Sequence, residues 1–372
     1  ACGSKASEDS TMSMCSKNME SAIRPSSTLP RGGTCRPVAA IEAGLLAGAE
    51  IVPGSDAEIV ASHCTKDLSW LQPSIDSLEN LGTKVVGVHI YSKCGLAPIG
   101  APAGAHLHTL PNLGRNDQVY AEYLATRHHS LPGQVFFLKD SSFHYGGHDF
   151  KKYERSAVQM AQELRTRGFS CGRAPPHCGP AGNGSQWHER AVLEAFVLRN
   201  YKEKHTQRLR GGAPVNATFN SPTQSIGAWL ASVLSQPTYS ELRAREVWPV
   251  CYGGSFTARR EQILRVSAAD WAALAKSLSR ADNLEEGHYM ERSWAALLSP
   301  PLPTNVARQL LCHPSVKKAP YSGMLLATVG HRTHKHTQTH THKHTHKHTH
   351  TARSQSLVAW ADEYWLARLE LG

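Results

Sequence analysis

The chain has no run of about eighteen consecutive apolar residues, so nothing in it reads as a membrane-spanning helix. Val38-Ala39-Ala40-Ile41 is interrupted by Glu42 and runs into glycines. Also missing is any Cys-x-x-Cys pair or Cys/His spacing typical of zinc, since the nine cysteines are scattered singly. No basic helix with interleaved aromatics occurs, which argues against a nucleic-acid surface despite the positive charge. The first residue is Ala1 rather than Met, which leaves room for a leader or anchor upstream.

What is there suffices for one large core. The 372 residues accommodate a domain of about 250 residues plus extensions. A formal net charge of +10 favours an anionic partner such as a nucleotide diphosphate or an acidic glycan, although the excess is spread along the chain. Cys171 and Cys178 stand closest and bracket a Pro-rich loop; they could close a small disulfide or stay unpaired. Asn183-Gly184-Ser185 and Asn216-Ala217-Thr218 fit the glycosylation acceptor pattern, which chance also produces at this length.

Both ends are of low complexity. Residues 1–54 are rich in Ser, Gly and Pro and are expected to be disordered, apart from a short helix between Pro37 and Glu50. Residues 331–352 alternate His and Thr with occasional Lys, as a translated CA dinucleotide repeat does, and are expected to form a disordered tract. The alternative is a metal-binding interaction segment, because neutral imidazoles at this density bind zinc, copper or nickel. Residues 353–372 carry Leu357, Trp360, Tyr364, Leu366 and Leu369 at amphipathic-helix spacing.

The folded part opens with a short apolar strand, Glu58–His63, a loop at Cys64-Thr65-Lys66, and a helix from Asp67 carrying Leu71, Ile75 and Leu78. A second strand follows at Thr83–Tyr91 and ends in Ser92-Lys93. Strand, helix and strand at this spacing form a βαβ unit with a right-handed crossover. The central stretch, Leu110–Ser142, repeats the pattern. Pro111, Asn112 and Gly114 break the chain, Asn116 or Asp117 caps a helix through Thr126, and Val119, Tyr120, Tyr123 and Leu124 form its apolar face. Gln134–Leu138 is continuously apolar, like a strand covered on both faces. Lys139 and Asp140 then stand at its carboxyl end, where open α/β sheets bind ligands. Two plainer readings compete, a solvated Arg115 and an Asp140 that caps the following turn.

Further on, helices are expected over Lys151–Arg167 and His188–Tyr201, separated by a Gly/Pro-rich loop from Gly168 to Gly184. In Glu246–Phe256 the pair Gly253-Gly254 allows a positive-φ turn or close approach of backbone to a ligand. A helix is expected over Thr257–Arg265. Ser267 opens the next as a cap, with Trp271, Leu274 and Leu278 on one face. Glu285–Trp294 enters another, packing Tyr289, Trp294 and Leu297, and Pro300–Pro303 closes the domain.

Four pieces carry a family resemblance: Asn112-x-Gly114-Arg115, Asp67-Leu68-x-Trp70-Leu71 with Tyr91-x-Lys93, Gly253-Gly254-Ser255-Phe256, and Glu291-Arg292-x-Trp294. Together they resemble the domain of unknown function 3431 family, a glycosyltransferase-like group of the GT-A type, and more distantly the rhamnan-synthesis glycosyltransferases. Asn116 stands where that pattern usually has an acid, with Asp117 one position on. The resemblance implies a GT-A-like (Rossmann-like) α/β fold over residues 57–303, with a mixed sheet flanked by helices. It implies a nucleotide-sugar donor and a glycan or protein acceptor, and hence the secretory pathway or Golgi.

Under that resemblance His63, Asp67 and Lys93 lie where the nucleotide base is held, and Asn112, Gly114, Arg115, Gly253 and Gly254 contribute to the donor site. Lys139 offsets phosphate charge and Asp140 orients the donor or a metal. Glu291 is the expected base, with Glu286 in reserve. A manganese or magnesium ion is expected only weakly, because Asp140-Ser141-Ser142 lacks the second carboxylate of the usual Asp-x-Asp, although Asp149 or a histidine such as His148 could add a contact. Alternatives stay open: Asp67 as a helix cap, Gly253-Gly254 as a structural turn, Glu291 as the partner of Arg292 or another arginine, and the whole as a non-catalytic binding module.

Overall fold

Val135, Phe136, Phe137 and Leu138 lie at the centre of a six-stranded sheet and are fully buried on both of its faces. The computed structural model describes residues 56–142, 155–173, 187–198 and 219–312. The N-terminal segment, His148, Asp149, Cys178, both glycosylation acceptors, the His/Thr tract and the C-terminal helix lie outside the described residues.

The sheet forms from the strands that the apolar runs mark out, β1 (Ala57–His63), β2 (Val85–Ser92) and β4 (Gln134–Lys139). Three others are less apparent in the sequence, β3 (His106–Thr109), β5 (Phe169–Cys171) and β8 (Phe256–Arg259). The spatial order is β3-β2-β1-β4-β8-β5. The first four strands are parallel, and β8 runs antiparallel to both β4 and β5. From β1 the chain builds outward through β2 to β3, then returns to place β4 on the other side of β1. The carboxyl ends of β1 and β4 therefore border a topological switch point, the place where such sheets bind ligands.

Helices cover both faces. On one side α1 (Leu71–Asn80) and α3 (Ala157–Arg167) bury Leu71, Ile75, Leu78 and Met160 against Ile59, Ala61, Phe136 and Leu138. On the other, α2 (Arg115–Arg127), α8 (Ala268–Ser277) and α9 (Glu285–Leu298) enclose the larger core. There Phe137, Phe256 and Trp294 meet with ring centroids 4.9 Å apart for Phe137–Phe256 and for Phe256–Trp294. Burying each such ring stabilises the fold by about 2–3 kcal/mol. Val119, Tyr120, Tyr123 and Leu124 form the buried face of α2, as their spacing requires.

Beyond the sheet lie α4 (Arg190–Glu194), α5 (Ile226–Val233), α6 (Gln236–Arg243) and a short ladder of β6 (Trp187–Glu189) with β7 (Val247–Pro249). After α7 (Arg260–Ile263) and the two long helices, α10 (Thr304–Cys312) follows Pro300–Pro303 and buries Ala307 and Leu310 against Trp187 and Val247.

Several expectations are corrected. The segment read as a helix over Thr257–Arg265 begins as β8, because Phe256 and Ala258 face the core while Thr257 bonds to the Val135 carbonyl at 2.9 Å. His188 is in a strand, and the helix after it covers only Arg190–Glu194 among the described residues. The first helix starts at Leu71; Asp67 instead accepts the Ser69 N–H at 2.6 Å in a tight turn. Neither Asn116 nor Asp117 caps α2, whose N-cap is Gly114 in the left-handed region at φ 57°. A β-carbon there would collide with the Leu278 carbonyl oxygen. Cys171 pairs with Cys251, and a second disulfide joins Cys64 to Cys94.

Candidate functional site

The loops that follow β1, β2, β3 and β4 gather at one end of the sheet, and their residues are tied to one another. Asp140, just past β4, turns its carboxylate toward the loop after β1. Its Oδ2 accepts the backbone N–H groups of Cys64, Thr65 and Lys66 at 2.8, 3.0 and 3.1 Å. Trp70 Nε1 donates to its main-chain oxygen at 3.3 Å. Cys64 is then held to Cys94, just past β2, because the register His63↔Ser92 sets those two strand ends side by side. Lys93 reaches the third loop, and its ammonium donates to the carbonyls of Leu113 and Arg115. His63 is buried beneath, its Nδ1 3.4 Å from Ser92 Oγ.

The turn before β8 forms the opposite wall. Gly253 and Gly254 both have positive φ, 98° and 69°, which side chains adopt only under strain. Asn116 Nδ2 and Tyr120 Oη on α2 both donate to the Gly254 carbonyl, at 3.4 and 3.0 Å. The N–H of Gly253 donates to Glu291 Oε1 at 2.9 Å. Glu291 is mostly enclosed, with 17% of its side chain exposed and Arg292 3.9 Å away. Burial alone would raise its pKa, but the charges of Arg115 and Arg292, with smaller help from His288 and the Gly253 N–H, pull it down to about 2. Such a carboxylate is a firm anchor and a weak base.

Arg115 itself has φ 54°, the one non-glycine positive φ among the described residues. Its Nη1 lies 3.4 Å from His288 Nδ1. Beneath it, Asp117 is fully buried and accepts Trp294 Nε1 at 2.7 Å. Burial pushes the Asp117 carboxyl up to about 6, with Glu291 adding to the effect and Arg115 opposing it. Glu286 is held by both oxygens to Arg280 Nη2, at 2.7 and 2.8 Å. Asn112 reaches Asp282 at 3.3 Å on the surface.

A small cleft, open to solvent, lies between the end of β4 and the Gly253 turn. Among the described residues its lining includes Lys139, Arg155 and Arg173, with the hydroxyls of Ser142 and Ser255. Ser142 Oγ and Ser255 Oγ are 2.7 Å apart and tie β4 to β8 across the floor.

Of the residues nominated from sequence, Lys139 and Gly253 line this cleft, and Gly254 and Glu291 shape its wall. Arg115 and Asp140 lie at the same end of the sheet, but neither is among the described residues lining the cleft; Asp140 is committed to the loop after β1 and Arg115 faces His288 on α9. Asp67 and Asn112 sit on peripheral turns. Sequence reasoning passed over Arg155, Arg173 and Ser255. It also passed over the Cys64–Cys94 pair, although two cysteines just past adjacent parallel strands were a usable signal.

The family described as "Protein of unknown function (DUF3431)" matches residues 59–313, which takes in all of the sheet but the first two residues of β1 and every residue of the site. The chain belongs to this family. No curated protein and no solved structure matches it. None of the described helices is long and apolar enough to cross a membrane.

Proposed function

We propose that this domain of the DUF3431 family binds a nucleotide-activated sugar at the carboxyl end of its sheet and transfers the sugar to a glycan or protein acceptor. The observation that carries the reading is the cleft lined by Lys139, Arg155 and Arg173, set beside the switch point between β1 and β4. A diphosphate is the anion that such a cleft suits, because side-chain cations and the exposed backbone of a glycine turn offset its charge. The resemblance of the Asn112-x-Gly114-Arg115 segment to GT-A glycosyltransferases supports the same assignment. In this reading the loop after β1, braced on Asp140, meets the nucleotide. Glu291 fixes the Gly253–Gly254 turn rather than meeting the acceptor hydroxyl. The two disulfides fit an oxidising compartment such as the secretory pathway.

A second reading is a non-catalytic binding module, favoured by the inward commitment of Asp140 to three backbone N–H groups. Two measurements separate the readings. Uridine or guanosine diphosphate is expected to raise the melting temperature, and a panel of sugar nucleotides with mixed acceptors is expected to release the free diphosphate. Absence of any thermal shift would remove the donor site, and binding without release would leave the non-catalytic module.

A further inference from the structure

Toward the β3 edge of the sheet, one face gathers three imidazoles. In register, Glu58 of β1 stands opposite Gly87 of β2, His89 opposite His106 of β3, and Tyr91 opposite His108. Gly87 leaves room for the group, since a β-carbon there would lie 3.2 Å from Glu58 Cγ and 3.4 Å from His89 Nε2. The rings of His89 and His106 stack with centroids 5.0 Å apart, and those of Tyr91 and His108 at 4.4 Å. Between the strands, His89 Nδ1 lies 3.3 Å from His108 Nε2.

The protons of that contact are set from β1 and α2. Glu58 Oε1 accepts Arg127 Nη2 at 3.0 Å, while Oε2 accepts Tyr123 Oη and stands 3.5 Å from His89 Nε2. With its pKa at about 2, Glu58 stays a carboxylate through the imidazole range and draws the His89 proton to Nε2. Nδ1 then offers its lone pair to the His108 Nε2–H. One added proton leaves the contact whole, because a cationic imidazole donates to a neutral one. A second does not, because N–H then faces N–H and two like charges meet. His108 already feels its surroundings: burial, then the neighbouring His89 and His106, hold its pKa below the ordinary 6.5. The charged and titratable groups that face the pair are Glu58 from β1, Tyr91 from β2, His106 from β3, and Tyr123 and Arg127 from α2.

Among the described residues, β3 has little else to hold it. The strand is four residues long, pairs in the sheet with β2 alone, and leaves Leu107 60% exposed. From its end the chain passes through Leu110, whose N–H donates to the Ser92 carbonyl at 3.0 Å, into the Asn112–Gly114 turn and α2.

We infer that the His89–His108 contact is an acid-sensitive latch that holds β3, and the Leu110–Gly114 loop leading from it into α2, on the sheet, and releases both when the two imidazoles are cations. The latch is a property of the fold and does not rest on the donor reading. Its sign follows from linkage. The stabilisation is present above the ordinary 6.5 and is lost as pH falls through the lowered pKa of His108.

The test is amide hydrogen exchange of the whole chain, read by mass spectrometry at pH 7.5 and pH 5 and corrected for the intrinsic rate at each. Peptides spanning residues 106–114 are expected to lose about tenfold in protection relative to peptides of β1 and β4. Release takes up one proton, which sets a ceiling of about tenfold per pH unit below 6.5. His108→Gln keeps an amide N–H for His89 and does not titrate, so its protection should hold between the two pH values. His108→Phe keeps a ring on Tyr91 and should be equally insensitive to pH, whatever its protection at pH 7.5. His106→Gln, at the exposed ring beside the latch, should keep the acid response. Unchanged protection at pH 5, a loss spread evenly over β1 and β4, or the unmodified protein's acid response in both His108 variants overturns the inference.

Discussion

The N–H of Gly253 donates to Glu291 Oε1 at 2.9 Å, so the helix that ends the sheet's larger core holds the turn that walls the cleft. In the proposed reading this bond gives Glu291 a structural role, and its linkage to pH gives a test. A folded pKa of about 2 lies below the ordinary value of 4.5, so the stabilisation is complete above pH 4.5 and fades as pH falls toward 2. The difference corresponds to about 3 kcal/mol. Glu291→Gln is expected to lose about that much at pH 7, with the gap to the unmodified protein narrowing to about half near pH 3 and closing only near pH 2 in urea titrations. A glutamine variant that is equally stable at pH 7 but has lost transfer would return Glu291 to the role of base.

Asp117 behaves in the opposite sense. Its folded pKa of about 6 exceeds the ordinary 3.8, so the fold favours the protonated acid. The stabilisation is complete below pH 3.8 and is lost as pH rises through 6. Asn has the same shape and can still accept Trp294 Nε1, which bonds Asp117 at 2.7 Å. Asp117→Asn should therefore raise stability above pH 6 by up to about 3 kcal/mol and make little difference near pH 4. Equal stability across that range would show that the burial is not felt as charge.

Much of the frame was legible in the sequence because its signals are local. Val135–Leu138 reads as a doubly covered strand from four apolar residues, and Val119, Tyr120, Tyr123 and Leu124 give the buried face of α2. The missed strands are short and owe their form to neighbours. His106-Leu107-His108-Thr109 is a polar edge strand with Leu107 60% exposed, and Phe256–Arg259 takes strand geometry from β4 and β5 on either side. The site divides the same way. Lys139 could be found from its place at a strand end, whereas Arg155 and Arg173 reach the cleft only through the antiparallel return of β8 and β5. Glu58 shows how tertiary partners override an apolar pattern. Burial would raise its pKa, yet hydrogen bonds from His89 and Tyr123 and the charge of Arg127 hold it at about 2 inside β1.

The Gly253–Gly254 turn offers a backbone test of the cleft. Gly254 has φ 69°, and a β-carbon there would stand 2.6 Å from Asn116 Nδ2. Gly254→Ala is expected to cost about 1–2 kcal/mol from the left-handed conformation and the displaced amide. The urea midpoint should fall with the slope unchanged. The thermal shift with uridine or guanosine diphosphate should shrink with it, since Asn116 and Tyr120 both hold the Gly254 carbonyl. A variant with unaltered midpoint and affinity would show that the turn is not a fixed wall.

The two disulfides should differ in what they protect. Cys171–Cys251 is buried, at 4% and 1% exposure, and spans 80 residues, whereas the half-buried Cys64–Cys94 spans 30. Loop-closure entropy alone gives about 4.5 kcal/mol for the first and about 3.6 kcal/mol for the second. Access decides which opens first, because a thiolate must reach a sulfur to attack it. Under graded dithiothreitol, alkylation and mass mapping should therefore find Cys64 and Cys94 labelled before Cys171 and Cys251. Cys64 also donates its N–H to Asp140 at 2.8 Å, so its release should loosen the loop beside the switch point. A paired Cys64→Ser and Cys94→Ser variant should keep a cooperative melt but bind uridine or guanosine diphosphate more weakly. The paired Cys171→Ser and Cys251→Ser variant should instead lose stability across the whole domain. Simultaneous labelling of all four cysteines would mean that both bridges open only by global unfolding, and the first would then be no more a strut of the site than the second.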